Sequence, residues 1–153
     1  MTPALPDFNP PITLFYPTCN HPRLLRVYTE LMSWILVVED EEDISSFLRF
    51  VLENENYVVV TAGSLAEARE RLAVGGQPSA VLLDRGLPDG DGLDICRELR
   101  GADAKKPPIV VLSARKTALE IKEGMAAGAD DYIVKPFEFM NVLDRVRSLG
   151  ASA

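Results

Sequence analysis

Ala80-Val81-Leu82-Leu83-Asp84 decides how the rest of this chain is read. Four apolar residues with no polar alternation describe a strand buried on both faces. The run ends on a carboxylate and passes at once into turn-forming residues, Gly86-Leu87-Pro88-Asp89-Gly90. Working outward, Ile35-Leu36-Val37-Val38 ends on Glu39-Asp40, Ile109-Val110-Val111-Leu112 on Ser113, and Tyr132-Ile133-Val134 on Lys135-Pro136. In an open parallel sheet the crevice outside the carboxyl ends of the strands is where ligands bind. The four tips are therefore expected to share one pocket holding three acids, a hydroxyl and an ammonium.

Amphipathic segments separate these runs. Ile44, Phe47, Leu48 and Val51 recur at helical spacing, and the helix they predict stops near Asn54-Glu55-Asn56. Tyr57 to Thr61 reads as another strand, and Ser64-Leu65-Ala66-Glu67 is a capping-box sequence opening a helix with Leu65, Ala68 and Leu72 inward. Leu93, Cys96 and Leu99 pattern the next helix, Ala118, Ile121 and Met125 the one after, and Phe139, Val142, Val146 and Leu149 the last. Five βα units in sequence predict an α/β fold: a doubly wound five-stranded parallel sheet of order 2-1-3-4-5, with helices on both faces.

The 153 residues suit one domain, and 47% hydrophobic with 25% charged residues suit a globular chain with a real core. A net charge of −7 argues against a nucleic-acid surface built on phosphate neutralisation. Cys19 and Cys96 lack metal or redox spacing, and no apolar run is long enough to span a membrane, so a cytoplasmic location is expected. Six of the eleven prolines lie in the first 22 positions, a density incompatible with regular helix or central strand. Residues 1–33 are thus expected to be a Pro-rich extension, disordered or upstream of a true start at Met32, with a docking tail as the functional alternative. The folded domain is expected over 34–149, with 150–153 as a tail. His21, in the extension, is expected to be no site.

Glu39, Asp40 and Asp84 at adjacent tips would repel one another, by about 4 kcal/mol for two charges ~4 Å apart at an effective dielectric near 20. A hard divalent cation would offset that, and Mg²⁺ accepts one or two carboxylates together with phosphate oxygens. Lys135 and Ser113 suit phosphoryl oxygens, and an Asp can form an aspartyl phosphate once metal and lysine neutralise the developing charge. Glu41, Glu42 and Asp43 read instead as acids complementing a helix N-terminus. Asp89, Asp91 and Asp94 faintly echo a calcium loop, but Arg100 stands where its closing Glu would be.

Ile35-Leu-Val-Val-Glu-Asp-Glu-Glu-Asp43, Leu83-Asp-Arg-Gly-Leu-Pro-Asp-Gly-Asp-Gly92, Val111-Leu-Ser-Ala-Arg115 and Gly128-Ala-Asp-Asp-Tyr-Ile-Val-Lys-Pro-Phe137 together resemble the receiver (CheY-like) domain of two-component response regulators, in flavour the OmpR/PhoB type. The resemblance implies Asp84 as phosphoacceptor and a Mg²⁺ site of Asp40, Glu39 acting through water, Asp84 and the Gly86 carbonyl. It also implies Ser113 as switch hydroxyl, Tyr132 as switch aromatic, Lys135 as phosphate contact and a cis bond before Pro136. A sensor histidine kinase or histidine phosphotransfer protein would be the donor. The domain would catalyse its own phosphotransfer and hydrolysis without being an enzyme toward a separate substrate. Phosphorylation would bias the surface of helix 4, strand 5 and helix 5. Asp130 and Asp131 with Arg145 and Arg147 suggest reciprocal pairs in a homodimer across that face. Arg85, Gly86 and Arg115 depart from the family pattern and are candidates for tuning the phosphate lifetime. Two rival functions are a haloacid dehalogenase-type phosphohydrolase, which needs an acid where Gly86 stands, and a phosphorylation-independent interaction module.

Overall fold

The computed structural model describes residues 34–102 and 107–150. The expectations for residues 1–33, with Met32, Cys19 and His21, and for 151–153 lie outside the described residues. The apolar runs form the parallel strands β1 (Trp34–Val38), β2 (Val58–Ala62), β3 (Ala80–Asp84), β4 (Ile109–Ser113) and β5 (Asp131–Val134). Their order across the sheet is 2-1-3-4-5, as expected from the sequence. The helices are α1 (Glu42–Glu53), α2 (Leu65–Gly75), α3 (Leu93–Ala102), α4 (Ala118–Ala126) and α5 (Phe139–Ser148).

Alternate strand residues feed two cores. Leu36, Val38, Val81, Leu83 and Val111 pack toward α2 and α3, while Ile35, Val37, Leu82, Val110 and Leu112 pack toward α1 and α5. Each fully buried aliphatic side chain is worth about 1.5–3 kcal/mol, so the central strands are held rigidly from both sides. Register then sets the tips. Val38 pairs with Leu83, Asp84 with Leu112 and Ser113 with Val134, so Glu39, Asp84, Ser113 and Lys135 emerge together at one edge.

Local details differ from the pattern reading in three places. Phe47 is exposed and lies against the Phe139 ring, because α1 turns Leu48 and Leu52 into the core. Met125 is exposed as well, and Gly124 is the one buried residue of α4. Ser64 caps α2 by accepting the Glu67 N–H, but the Glu67 carboxylate takes the Gly63 N–H. The reciprocal capping box instead opens α4, between Thr117 and Glu120. The turn-forming stretch after β3 closes into a short antiparallel hairpin, Gly86–Leu87 with Gly90–Asp91.

Candidate functional site

The pocket is built on Asp84, which is buried at the end of β3. Lys135 Nζ donates to Asp84 Oδ2 at 3.1 Å and to Glu39 Oε2 at 2.8 Å, and it lies 3.4 Å from Glu41 Oε1. Burial raises the Glu39 carboxyl from 4.5 to about 7; the Lys135 hydrogen bond pulls the other way and the Asp84 charge adds to the rise. For Lys135 burial opposes the charge, yet hydrogen bonds to Glu39 and Asp84 outweigh it and hold the ammonium above its usual range. The lysine thus neutralises part of a strongly acidic pocket.

One ligand oxygen each from Glu39, Glu41 and Asp84 lie within 4.8 Å of one another. Three carboxylates against one ammonium leave an excess that a divalent, oxygen-seeking cation would balance, so the donor set fits Mg²⁺. Asp40 is exposed and is not one of these three, whereas Glu41 is. Glu41 stands at the N-cap of α1 and its N–H donates to Glu39 Oε1, which draws the two glutamates together. Sequence spacing could not show this, since the chain turns between β1 and α1.

Ser113 is buried at the tip of β4, its hydroxyl accepting the Arg115 N–H at 3.1 Å. The Tyr132 hydroxyl donates to the Arg115 carbonyl at 2.7 Å, tying β5 to the loop after Ser113. The Lys135–Pro136 bond is cis. Gly86 is exposed with open space where a side chain would stand, and its N–H donates to Asp84 Oδ1. Gly92, which ends the Leu83–Gly92 motif, is required to be glycine by the fold: a Cβ would fall 1.9 Å from the Asp84 carbonyl oxygen.

Of the three tuning candidates, Arg85 is the most enclosed. Its side chain is 3% exposed and its guanidinium is engaged by the Asp91 and Glu123 carboxylates and the Glu120 carbonyl. Arg115 is half exposed and reaches Asp91 at 3.7 Å. The residues expected to pair across a dimer are engaged internally: Asp130 with Arg100, Asp131 with Arg145, and Arg147 with Glu55.

A family model described as the response regulator receiver domain matches residues 35–147. The chain belongs to this family. The response regulator ArlR of Staphylococcus saprophyticus is 37% identical over 118 residues, which are 77% of this chain and 52% of ArlR. The chain thus spans about half the length of the curated relatives it matches. The BeF3-activated receiver domain of Klebsiella pneumoniae RstA is similar in structure, with a TM-score of 0.70, 32% identity, and coverage of 77% of this chain and 99% of that one. Thermotoga maritima TrrA, solved in complex with Mg²⁺ and BeF, has a TM-score of 0.67 at 32% identity, covering 77% and 99% of the two chains. The receiver is a signalling domain of two-component systems, with a phosphoacceptor role, rather than a typical enzyme. Among the described residues, no helix is long and apolar enough to cross a membrane.

Proposed function

We propose that Asp84 is the phosphoacceptor and that a sensor histidine kinase or histidine phosphotransfer protein donates to it. An Asp84 carboxylate oxygen attacks phosphorus, the bond from phosphorus to the donor breaks, and an acyl phosphate forms that water later cleaves to restore the carboxylate. The observation that carries this reading is the placement of Lys135 Nζ, 3.1 Å from a buried Asp84 oxygen and bonded to Glu39 as well. That ammonium is positioned to meet charge building on the phosphoryl oxygens. Bound Mg²⁺ would supply the further charge neutralisation that the transferred group requires. Glu39, Asp84 and the Gly86 carbonyl would hold it, with Asp40 by its motif position or Glu41 by its nearness to Glu39 and Asp84 as the additional acid.

Ser113 and Tyr132 are the proposed switch. The hydroxyl of Ser113 would leave the Arg115 N–H for a phosphoryl oxygen, and the loop would then release the Tyr132 hydroxyl to turn inward, biasing the face of α4, β5 and α5. Arg85, Gly86 and Arg115 are the positions proposed to tune the phosphate lifetime. A two-fold dimer across that face would have to exchange internal ion pairs, such as Asp131–Arg145 at 2.8 Å, for intermolecular ones. Unchanged sedimentation on phosphorylation would remove it. Residues 34–149 are proposed as the working unit, acting in the cytoplasm, with 1–33 and 150–153 outside it.

Intact mass after incubation with Mg²⁺ and acetyl phosphate tests the central step. One phosphoryl adduct is expected on the wild type and none on Asp84→Asn. An equal adduct on both, or no adduct on wild type with either this donor or cognate kinases, would overturn the assignment.

A further inference from the structure

The residue directly after the phosphoacceptor is a buried arginine whose partners lie on a different element. Arg85 Nη2 donates to Glu123 Oε2 at 3.1 Å and Nη1 to the Glu120 carbonyl at 3.0 Å, both on α4. The same guanidinium holds Asp91 of the hairpin at 3.0 Å. At the other end its backbone has little freedom, because the Arg85 carbonyl accepts the N–H groups of both Leu87 and Gly92. Gly92 in turn lies hard against the Asp84 carbonyl. A displacement of the Asp84 turn is thus passed to the guanidinium rather than absorbed. The receiving helix has a thin apolar anchor: Gly124 is its one buried residue, Ile121 is half-buried, Ala127 is buried at its C-cap, and Leu119 and Met125 face solvent.

On the reading that Asp84 accepts phosphate, we propose that Arg85 is a positioning residue that ties the phosphoacceptor turn to α4, so that the hold on α4 and the ease of phosphorylating Asp84 are coupled. A buried guanidinium must keep its acid partners, and Glu123 is the partner that belongs to α4. Removing that partner leaves the Glu120 carbonyl as the tie's one contact to α4, loosening the helix and relaxing the turn. Asp91 belongs to the phosphoacceptor loop itself and also meets Arg115, so it adds the loop after Ser113 to the same network.

Glu123→Gln tests the tie without touching Asp84. Hydrogen exchange of peptides spanning 117–127 and the initial rate of phosphorylation by acetyl phosphate with Mg²⁺ are read in wild type, Glu123→Gln, Arg85→Met and the double variant. Asp94→Asn, which breaks an exposed pair with Arg97, is the control and leaves both readings unchanged. Glu123→Gln is expected to speed exchange in α4 and to raise the phosphorylation rate by about threefold or more. The double variant is expected to match Arg85→Met, since Glu123 acts on the tie through Arg85 and that change already removes their contact. Should Arg85→Met not fold, Glu123→Lys replaces it and is expected to exceed Glu123→Gln on both readings. Unchanged exchange in Glu123→Gln overturns the tie. Faster exchange with an unchanged phosphorylation rate overturns the coupling while leaving Asp84 as phosphoacceptor. A wild type that takes no phosphoryl group overturns the coupling together with the phosphoacceptor reading, and exchange still decides whether the tie exists.

Discussion

Helices α4 and α5 lie on opposite faces of the same end of the sheet, yet they are anchored by different physics. α5 buries Val142, Leu143 and Val146 completely, and Phe139 and Leu149 add partial cover. α4 buries a glycine against the Tyr132 ring, leaves Ile121 half-buried, and takes polar contacts from Arg85. Apolar burial is nondirectional and hard to exchange for another arrangement, whereas a buried ion pair has a few discrete partners and changes arrangement when one acid replaces another. A helix anchored in the second way can shift between arrangements of similar energy, which is what a signalling surface requires.

The largest expected effect breaks the contrast on the α5 side. Leu143→Ala removes a fully buried side chain and is expected to cost about 2–5 kcal/mol, read as a fall in the urea midpoint at unchanged slope. A cost below about 1 kcal/mol would mean that α5 is not anchored by its apolar face.

The strand tips offer a second test through pH. Glu39 holds its proton more tightly in the folded chain, at about 7 against 4.5, so its contribution to metal-free stability is complete below pH 4.5 and is lost as pH rises through 7. Mg²⁺ must displace that proton. Its apparent affinity, followed as the Mg²⁺-dependent rise in melting temperature, is expected to increase by up to about tenfold per pH unit from 5 toward 7 and then level off. A flat profile would show that Glu39 is not part of the metal site.

Gly124→Ala sharpens the contrast from the α4 side. Its Cβ would stand 2.8 Å from the Tyr132 ring, and the crowding is expected to exceed the gain in helix propensity, leaving a net loss of about 1 kcal/mol in the urea midpoint. The expected structural signature is a displaced Tyr132 whose hydroxyl has left the Arg115 carbonyl. The smallest effect belongs to Met125→Ala, which alters an exposed side chain and is expected to stay within about 0.5 kcal/mol.

Much of this was legible in the residues. Unbroken apolar runs such as Val81-Leu82-Leu83 announced strands covered on both faces, and the polar residues ending four of them marked one edge of the sheet as the site. That inference works because strand burial is a property of local composition and the crossover rule then leaves few topologies. Helix faces were less legible. Phe47 and Met125 fit a helical period but lie outside the core, because an apolar stripe wider than the contact leaves its margin in solvent.

The order of elements, the strand tips and the meeting of Asp84, Ser113 and Lys135 at one end follow from the residues alone, since each depends on local pattern and on chirality shared by all such sheets. Which acids converge is set by packing in three dimensions: Glu41 joins Glu39 and Asp84, while Asp40 faces solvent, because the turn into α1 sets those directions. Packing alone joins Arg85 to Glu123, residues 38 positions apart with the hairpin, α3 and β4 between them. Long side chains choose their partners by where the packed backbone leaves charge unanswered. No periodicity records that choice.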